Sequence, residues 1–367
     1  MNLFSLGFKN LFGGTNNTPA ASTNTAGVFP IFSGEQGFSI TEETSLKISH
    51  IWCAINDISN TFSLLPKSVY LTTEQNGKKI KTRAKSHAID YLIHNEPNNK
   101  MTAATFDQIM VVSYFLRGNA FARIERNQAG QVSALHFLHP DNVRVVEYDG
   151  SLYYVLMATA GDPTVLDSSE VLHVPAFSFN GIVGRSIIQF AADNIGIAAG
   201  AQKFQTDSFS DKGLTHGVLE TDKAVNKDAK VAIQNAYSSA MQNGNKYRVA
   251  VLDEGMKHRS INLTADQVKV LDTMQFSVAD TARWFNVPLN RLKVKGEGGY
   301  NFMVEMKIEY IQTAIMPLAN KFKQEYDRKL FTDNERAQGY KSHFHFKSLL
   351  QADPKGRAQY YLSLIHI

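Results

Sequence analysis

Between Thr264 and Phe331 the chain reads as a helix, a short basic glycine-rich loop and a longer helix broken by a proline. Two stiff rods joined by a hinge limit how the remaining residues can pack. Thr264-Ala265-Asp266-Gln267 has capping-box form, with a hydroxyl at the cap and an amide side chain three residues on. Val268, Leu271, Met274, Val278, Ala282 and Phe285 follow at spacings of three and four, which places them on one helical face. Pro288 stops that helix. The loop then holds Arg291, Lys293, Lys295, Gly296, Gly298, Gly299, Tyr300 and Asn301. Helical spacing resumes through Met303, Met306, Tyr310, Ile311, Ala314, Leu318, Phe322 and Tyr326. Pro317 lies inside that run, and its missing donor and ring clash predict a kink. A hinged cationic loop suits contact with a polyanion without chemistry on it. Two lysines on a loop equally suit a solvated surface, and spacing leaves both readings open.

Composition narrows the classes. The 367 residues suffice for one large domain or two to three modules, and 43% hydrophobic with 20% charged residues is ordinary for a globular fold. A net charge of +4 is only mildly basic, so any nucleic-acid contact should be local. The single cysteine, Cys53, excludes an internal disulfide framework and reads as a small buried residue. Ile187 to Ala201 is the most apolar long window, but Gln189, Asp193 and Asn194 interrupt it, so no membrane span or membrane partner is expected. The N-terminus lacks the pattern of a secretory signal, which points to assembly in the cytoplasm.

Residues 1–40, rich in Gly, Asn, Thr, Ser and Ala, read as a flexible arm. A helix is expected from Thr41 to Leu65, ended by Pro66, then a strand with a hairpin turn at Asn76-Gly77. Short helices follow at 86–94 and 105–116. Antiparallel strands are expected at 120–126, 132–138, 143–148, 152–156 and 171–175. Ser186-Ile187-Ile188-Gln189 opens a helix rich in small residues that runs to about Lys212. Residues 214–262 read as a compact module with a helix at 226–241 and strands at 247–252 and 256–261. A strand at 341–347 and a final helix near Pro354 complete an α+β chain.

No motif of catalysis or cofactor binding stands out in the sequence. No P-loop is present, and Gly296-Glu297-Gly298-Gly299 lacks the setting of a dinucleotide cradle, so no cofactor is expected. His343 and His345 share one strand face, but nothing local supplies a third ligand, so no metal or catalytic residues are assigned. Lys78, Lys79, Lys81, Arg83 and Lys85 form the densest basic run, which suits either a solvated strand edge or contact with a partner or DNA.

The order of motifs nevertheless resembles the siphophage-type portal proteins of tailed double-stranded DNA bacteriophages. Ile51-Trp52-Cys53-Ala54-Ile55-Asn56-Asp57-Ile58-Ser59 looks like the family's opening helix, closed by Leu65-Pro66. Pro97-Asn98 with Met101-Thr102, Gly118-Asn119-Ala120-Phe121 and Leu138-His139-Pro140-Asp141-Asn142-Val143 follow in the family's order. Glu170-Val171-Leu172-His173, Gly184-Arg185-Ser186, Pro288, Tyr300-Asn301 and Pro317 complete it. Each motif is weak alone, and their order over residues 45–362 is what carries the likeness.

The resemblance implies a non-enzymatic protein that forms a dodecameric ring at one capsid vertex of the virion, through which DNA is packaged and ejected. Its implied parts are a wing (41–183 and 302–347), stem helices (184–213 and 263–290), a clip (214–262) and a tunnel loop (291–301). Residues 348–367 would begin a crown, which family members usually carry further, so the crown is expected to be cut short. The implied partners are further copies of the chain, double-stranded DNA without sequence preference, the terminase large subunit, the head-tail adaptor, and the major capsid and scaffold proteins. In the family, ATP hydrolysis belongs to the terminase. Two rival readings are a non-conducting adaptor or scaffold, and a metal-dependent nuclease using His343 or His345 with Asp353.

Overall fold

The computed structural model describes residues 41–157, 162–209, 217–220, 230–232, 257–260, 276–294, 300–346 and 349. Within these, helices and antiparallel sheets mix as the α+β reading expects. The helices that concern the argument are α1 (Ser49–Ser63), α2 (Ala88–His94), α3 (Ala103–Arg117), α4 (Ala192–Phe209), α5 (276–285), α6 (Tyr300–Tyr310) and α7 (Met316–Lys329). The strands that concern the argument are β1 (Lys67–Gln75), β2 (Lys78–Arg83), β3 (Asn119–Arg126), β4 (Val132–Leu138), β5 (Val143–Tyr148), β6 (Ser151–Leu156), β7 (Thr164–Asp167), β8 (Val171–Pro175), β9 (Gly217–Glu220), β10 (Lys257–Ser260) and β11 (Tyr340–Phe344).

One apolar core gathers Ile51, Ile55, Ile58 and Phe62 of α1, Phe106 and Met110 of α3, and Leu318, Phe322 and Tyr326 of α7. All are at most 5% exposed, so each contributes roughly 1.5–3 kcal/mol of transfer free energy on burial. Sheets β4-β3-β8 and β11-β1-β2 lie against this core. The sheet β5-β6-β7 closes a smaller core of Phe121, Val143, Tyr154, Leu166 and Val171. Both Asn76-Gly77 and Asp149-Gly150 take positive φ at both residues, the geometry of tight two-residue hairpin turns.

Several boundaries differ from the sequence reading. The helix expected from Thr41 is two pieces: a single turn, Glu42–Ser45, opened by a reciprocal Thr41–Thr44 cap, and α1, with Ile48 extended between them. The helix opened by Ser186 is likewise one turn, Ile187–Phe190, then a break at Ala191 before α4. Strand β7 carries no clear alternation, and the sequence did not reveal it. Of the 214–262 module, β9 and β10 pair antiparallel and residues 230–232 are helical; the strand expected at 247–252 and most of the helix at 226–241 lie outside the described residues. The start of the helix expected from Thr264 and the final helix near Pro354 also lie outside them.

Candidate functional site

The hinge is anchored from one stripe of α1. Cys53, Asp57 and Thr61 are spaced by four, so they stand one above another on the same helical face. All three meet Arg291. Its Nε donates to Asp57 Oδ2 at 2.7 Å and its Nη2 to Asp57 Oδ1 at 3.1 Å, a two-pronged ion pair. Nη2 also donates to Thr61 Oγ1 at 3.0 Å, and the guanidinium lies 4.4 Å from the ring centre of Tyr310. Cys53, half-buried rather than fully buried, points its Sγ at the Arg291 carbonyl, 3.6 Å away. Burial first, then the Asp57 charge, pushes the Tyr310 phenol up from its usual range.

Arg291 is therefore the fixed end of the hinge, on a turn of 3-10 helix formed by Leu289–Leu292. Lys293 follows in the left-handed region at φ 63°, exposed, and Val294 is exposed too. Lys295, Gly296, Gly298 and Gly299 lie outside the described residues, while Tyr300 and Asn301 already belong to α6. Beside the turn, Asp57, Asn290, Arg291, Lys293, Met303 and Lys307 line an open pocket of about 320 Å³.

The long helix is interrupted, though not at the proline itself. A π-helical turn, Ile311–Ile315, separates α6 from α7, and Pro317 falls in the first turn of α7. Pro317 has no N–H to give the carbonyl of Thr313, four residues back. Asn286 Nδ2 reaches that carbonyl instead, at 3.0 Å, from the left-handed end of α5. The helix break and the end of α5 are thus tied together. Arg291→Lys keeps the charge but loses the fork, and is expected to cost about 1–2 kcal/mol, as read from urea denaturation midpoints.

A second convergence brings three sequence motifs together. Gly118 has φ +74° and ends α3, and its carbonyl accepts from Ala176 N at 2.8 Å. Asn119 next to it accepts from Gly184 N at 2.8 Å and donates from Nδ2 to Gly184 O at 2.9 Å. Asn119 Oδ1 also lies 3.0 Å from His173 Nε2. Oδ1 can only accept, so His173 carries its proton on Nε2, and Nδ1 accepts from Tyr154 Oη at 3.1 Å. Burial, then the Lys329 charge, holds His173 down at about 3, so it is neutral in ordinary buffers. Ser186 Oγ completes the knot, donating to Phe115 O at 3.2 Å and accepting from Ile188 N at 3.0 Å.

His343 and His345 are edge-on with ring centres 4.8 Å apart. Among the described residues no group of three or more His, Cys, Asp or Glu side chains is placed to hold a metal, and Asp353 lies outside them. The arrangement as a whole positions the turn at Arg291 and ties α1, α5 and α7 together.

The family model described as phage portal protein matches residues 49–366. The portal protein of Enterobacteria phage HK97 is 26% identical over 325 residues, covering 88% of this chain and 76% of that protein. The probable portal protein of Streptomyces phage phiC31 is 27% identical over 310 residues, covering 81% of this chain and 66% of that protein. Among solved structures, the crystal structure of an HK97 family phage portal protein from Corynebacterium diphtheriae superposes with a TM-score of 0.63 at 15% identity, over 86% of this chain and 99% of that one. A chain in the neck of a native gene transfer agent particle, computed with C12 symmetry, gives 0.61 at 15% identity, over 88% and 87%.

Proposed function

The chain belongs to the phage portal protein family, and we propose that it forms a dodecameric ring at one capsid vertex, the channel for DNA packaging and ejection. In this reading residues 41–183 and 302–347 form the wing, 184–213 and 263–290 the stem, 214–262 the clip, 291–301 the tunnel loop and 348–367 the start of the crown. The clip meets the terminase large subunit during packaging and the head-tail adaptor afterwards. Major capsid and scaffold proteins surround the ring, which is assembled in the host cytoplasm. The chain itself performs no catalysis.

The observation that carries the channel reading is the loop base. Arg291 is fixed by Asp57, Thr61 and Tyr310, while Lys293, two residues on, is exposed. Such an anchor fixes the point from which the cationic segment sets out. A channel needs that combination of fixed base and exposed cation, since many strong phosphate contacts would hold DNA fast. Of the tunnel-loop residues expected to face DNA, Arg291 serves instead as the mooring, since Asp57 and Thr61 take its guanidinium. The DNA-facing role falls to Lys293, Lys295, Gly296, Gly298, Gly299, Tyr300 and Asn301. A ring also needs neighbours for exposed apolar surface, and Phe177 (61% exposed), Phe179 (72%) and Phe190 (41%) pack on one another at the surface.

Electron microscopy of the purified chain should show rings with an axial hole, and persistent monomers would sink the proposal. Lys293→Glu with Lys295→Glu should leave rings intact and lower packaged DNA by roughly tenfold or more, read as nuclease-resistant DNA per particle. Normal packaging by that variant would remove the two lysines from the channel.

A further inference from the structure

Two sequence features that the channel does not use come together on one face of a sheet. In β11-β1-β2 the register sets Tyr70 opposite both Lys341 and Arg83, Thr72 opposite Lys81, Glu74 opposite Lys79, and Ser68 opposite His343. Residues directly opposite in an antiparallel pair, and residues two apart in one strand, share a face. Lys79, Lys81, Arg83, Lys341 and His343 therefore stand on the same side, although about 260 residues separate the two edge strands in sequence. The other side carries Val69 and Phe344 into the core.

The ring contacts agree with the register. His343 lies 5.5 Å and His345 5.7 Å from Tyr70, ring centre to ring centre. Lys79, Lys81, Arg83, Lys341 and His343 are all exposed. Three acids temper the face: Glu74 opposite Lys79, Asp90 at 3.2 Å from Arg83, and Asp327 at 2.6 Å from Lys323. The balance remains positive, with Lys81 and Lys341 bearing on no carboxylate across the strands. Edge lysines that merely prevent aggregation need not face one way. Here the cations of both edge strands and the His343 imidazole fall on one side of the sheet.

We propose that this face binds the phosphate backbone of duplex DNA, outside the channel and without sequence preference. Duplex DNA is favoured over an acidic protein by the residue types. Protein interfaces deplete lysine and centre on buried apolar or aromatic anchors. Here Ile80, the one large apolar side chain of β2, sits on the opposite face, and the aromatic side chain on this face, Tyr70, is engaged by His343 and His345. The cations are mostly lysine, which grips phosphates as a point charge. Cations on β2 recur every second residue, about 7 Å apart, a row suited to a charged backbone.

Proton linkage supplies a second signature. Burial first, then His345, Lys81 and Lys323, against Asp327, lowers the His343 imidazole; burial first, then Arg83 and His94, against Asp90, lowers His345. Bound phosphate would offset those cations and raise both imidazoles. Binding should therefore take up protons and tighten as pH falls.

The proposal uses the portal reading only in that a closed ring denies a covalently closed circle its channel. The test is binding of closed circular duplex DNA to the assembled protein across a salt series. The parent protein should bind, more tightly near pH 6 than near pH 8. Lys79→Gln/Lys81→Gln/Lys341→Gln should weaken binding by about tenfold or more and flatten the log–log salt slope by about 3. Lys293→Glu/Lys295→Glu should bind the circle as the parent does while failing to package, which separates this face from the loop. Unchanged affinity in the triple variant overturns the proposal. So does a parent protein that ignores the circle but binds polyglutamate, an outcome that would assign the face to an acidic protein.

Discussion

Gly118→Ala is expected to cost about 4 kcal/mol or more and to prevent ring assembly. Two independent penalties add at this position. The residue sits at φ +74°, where an L side chain costs roughly 1–2 kcal/mol. A Cβ there would also overlap the Arg185 backbone and come within 2.5 Å of Ser186 N. That second penalty falls on backbone, which cannot turn aside as a flexible side chain can. Relief requires the 184–186 segment to move off α3, and that movement pulls Gly184 from Asn119, Ala176 from the Gly118 carbonyl and Ser186 from Phe115. Gly130 is the control, with φ +76° and open space where its Cβ would be. Gly130→Ala should therefore show only the left-handed strain. Denaturation midpoints and sizing of both variants decide the matter: equal losses would mean that the close approach of the two segments contributes nothing.

That junction also shows what the sequence could and could not disclose. Gly118-Asn119, His173 and Gly184-Arg185-Ser186 stood out as ordered motifs, but nothing in their spacing said that one amide would join them. Asn119 bonds to partners 54 and 65 residues away, and such pairings belong to packing, not to local pattern. Elements were easier. Alternation gave β3 to β6 and β8 within a residue or two, and the turn chemistry of Asn76-Gly77 and Asp149-Gly150 gave both hairpins. The anchor of the basic segment was not legible locally. The role of Arg291 depends on Asp57, 234 residues earlier. A partial signal did exist in the four-residue spacing of Cys53, Asp57 and Thr61 on one face, although Ser49, His50, Asn56, Ser59, Asn60 and Ser63 make other faces of the helix polar too. Where a kink was expected at Pro317, the helix holds a π-helical turn just before it, with Asn286 reaching the carbonyl that the proline leaves free.

Lys67→Met should be the other severe substitution, with a loss of about 3–5 kcal/mol near neutral pH. Lys67 begins β1 and pairs with Asp107 of α3, and both side chains are at most 4% exposed. Burial raises the Asp107 carboxyl to about 6, outweighing the attraction of Lys67, and its second oxygen has no hydrogen-bond partner. A pair so poorly solvated adds little net stability, yet removing one partner strands the other charge. Lys67→Met/Asp107→Leu should accordingly return to within about 1 kcal/mol of the parent. Proton binding gives the same argument a pH axis. The folded protein keeps a proton on Asp107 where the unfolded carboxyl, at 3.8, has lost it. That contribution is complete below pH 3.8 and disappears as pH rises through about 6. The double variant should lack this decline, and the penalty of Lys67→Met should shrink in acid, where Asp107 is neutral. Urea denaturation of the three proteins between about pH 4 and 7 tests all of it. A double variant as unstable as the single one would show that packing of the lysine stem, rather than its charge, ties the hairpin to α3.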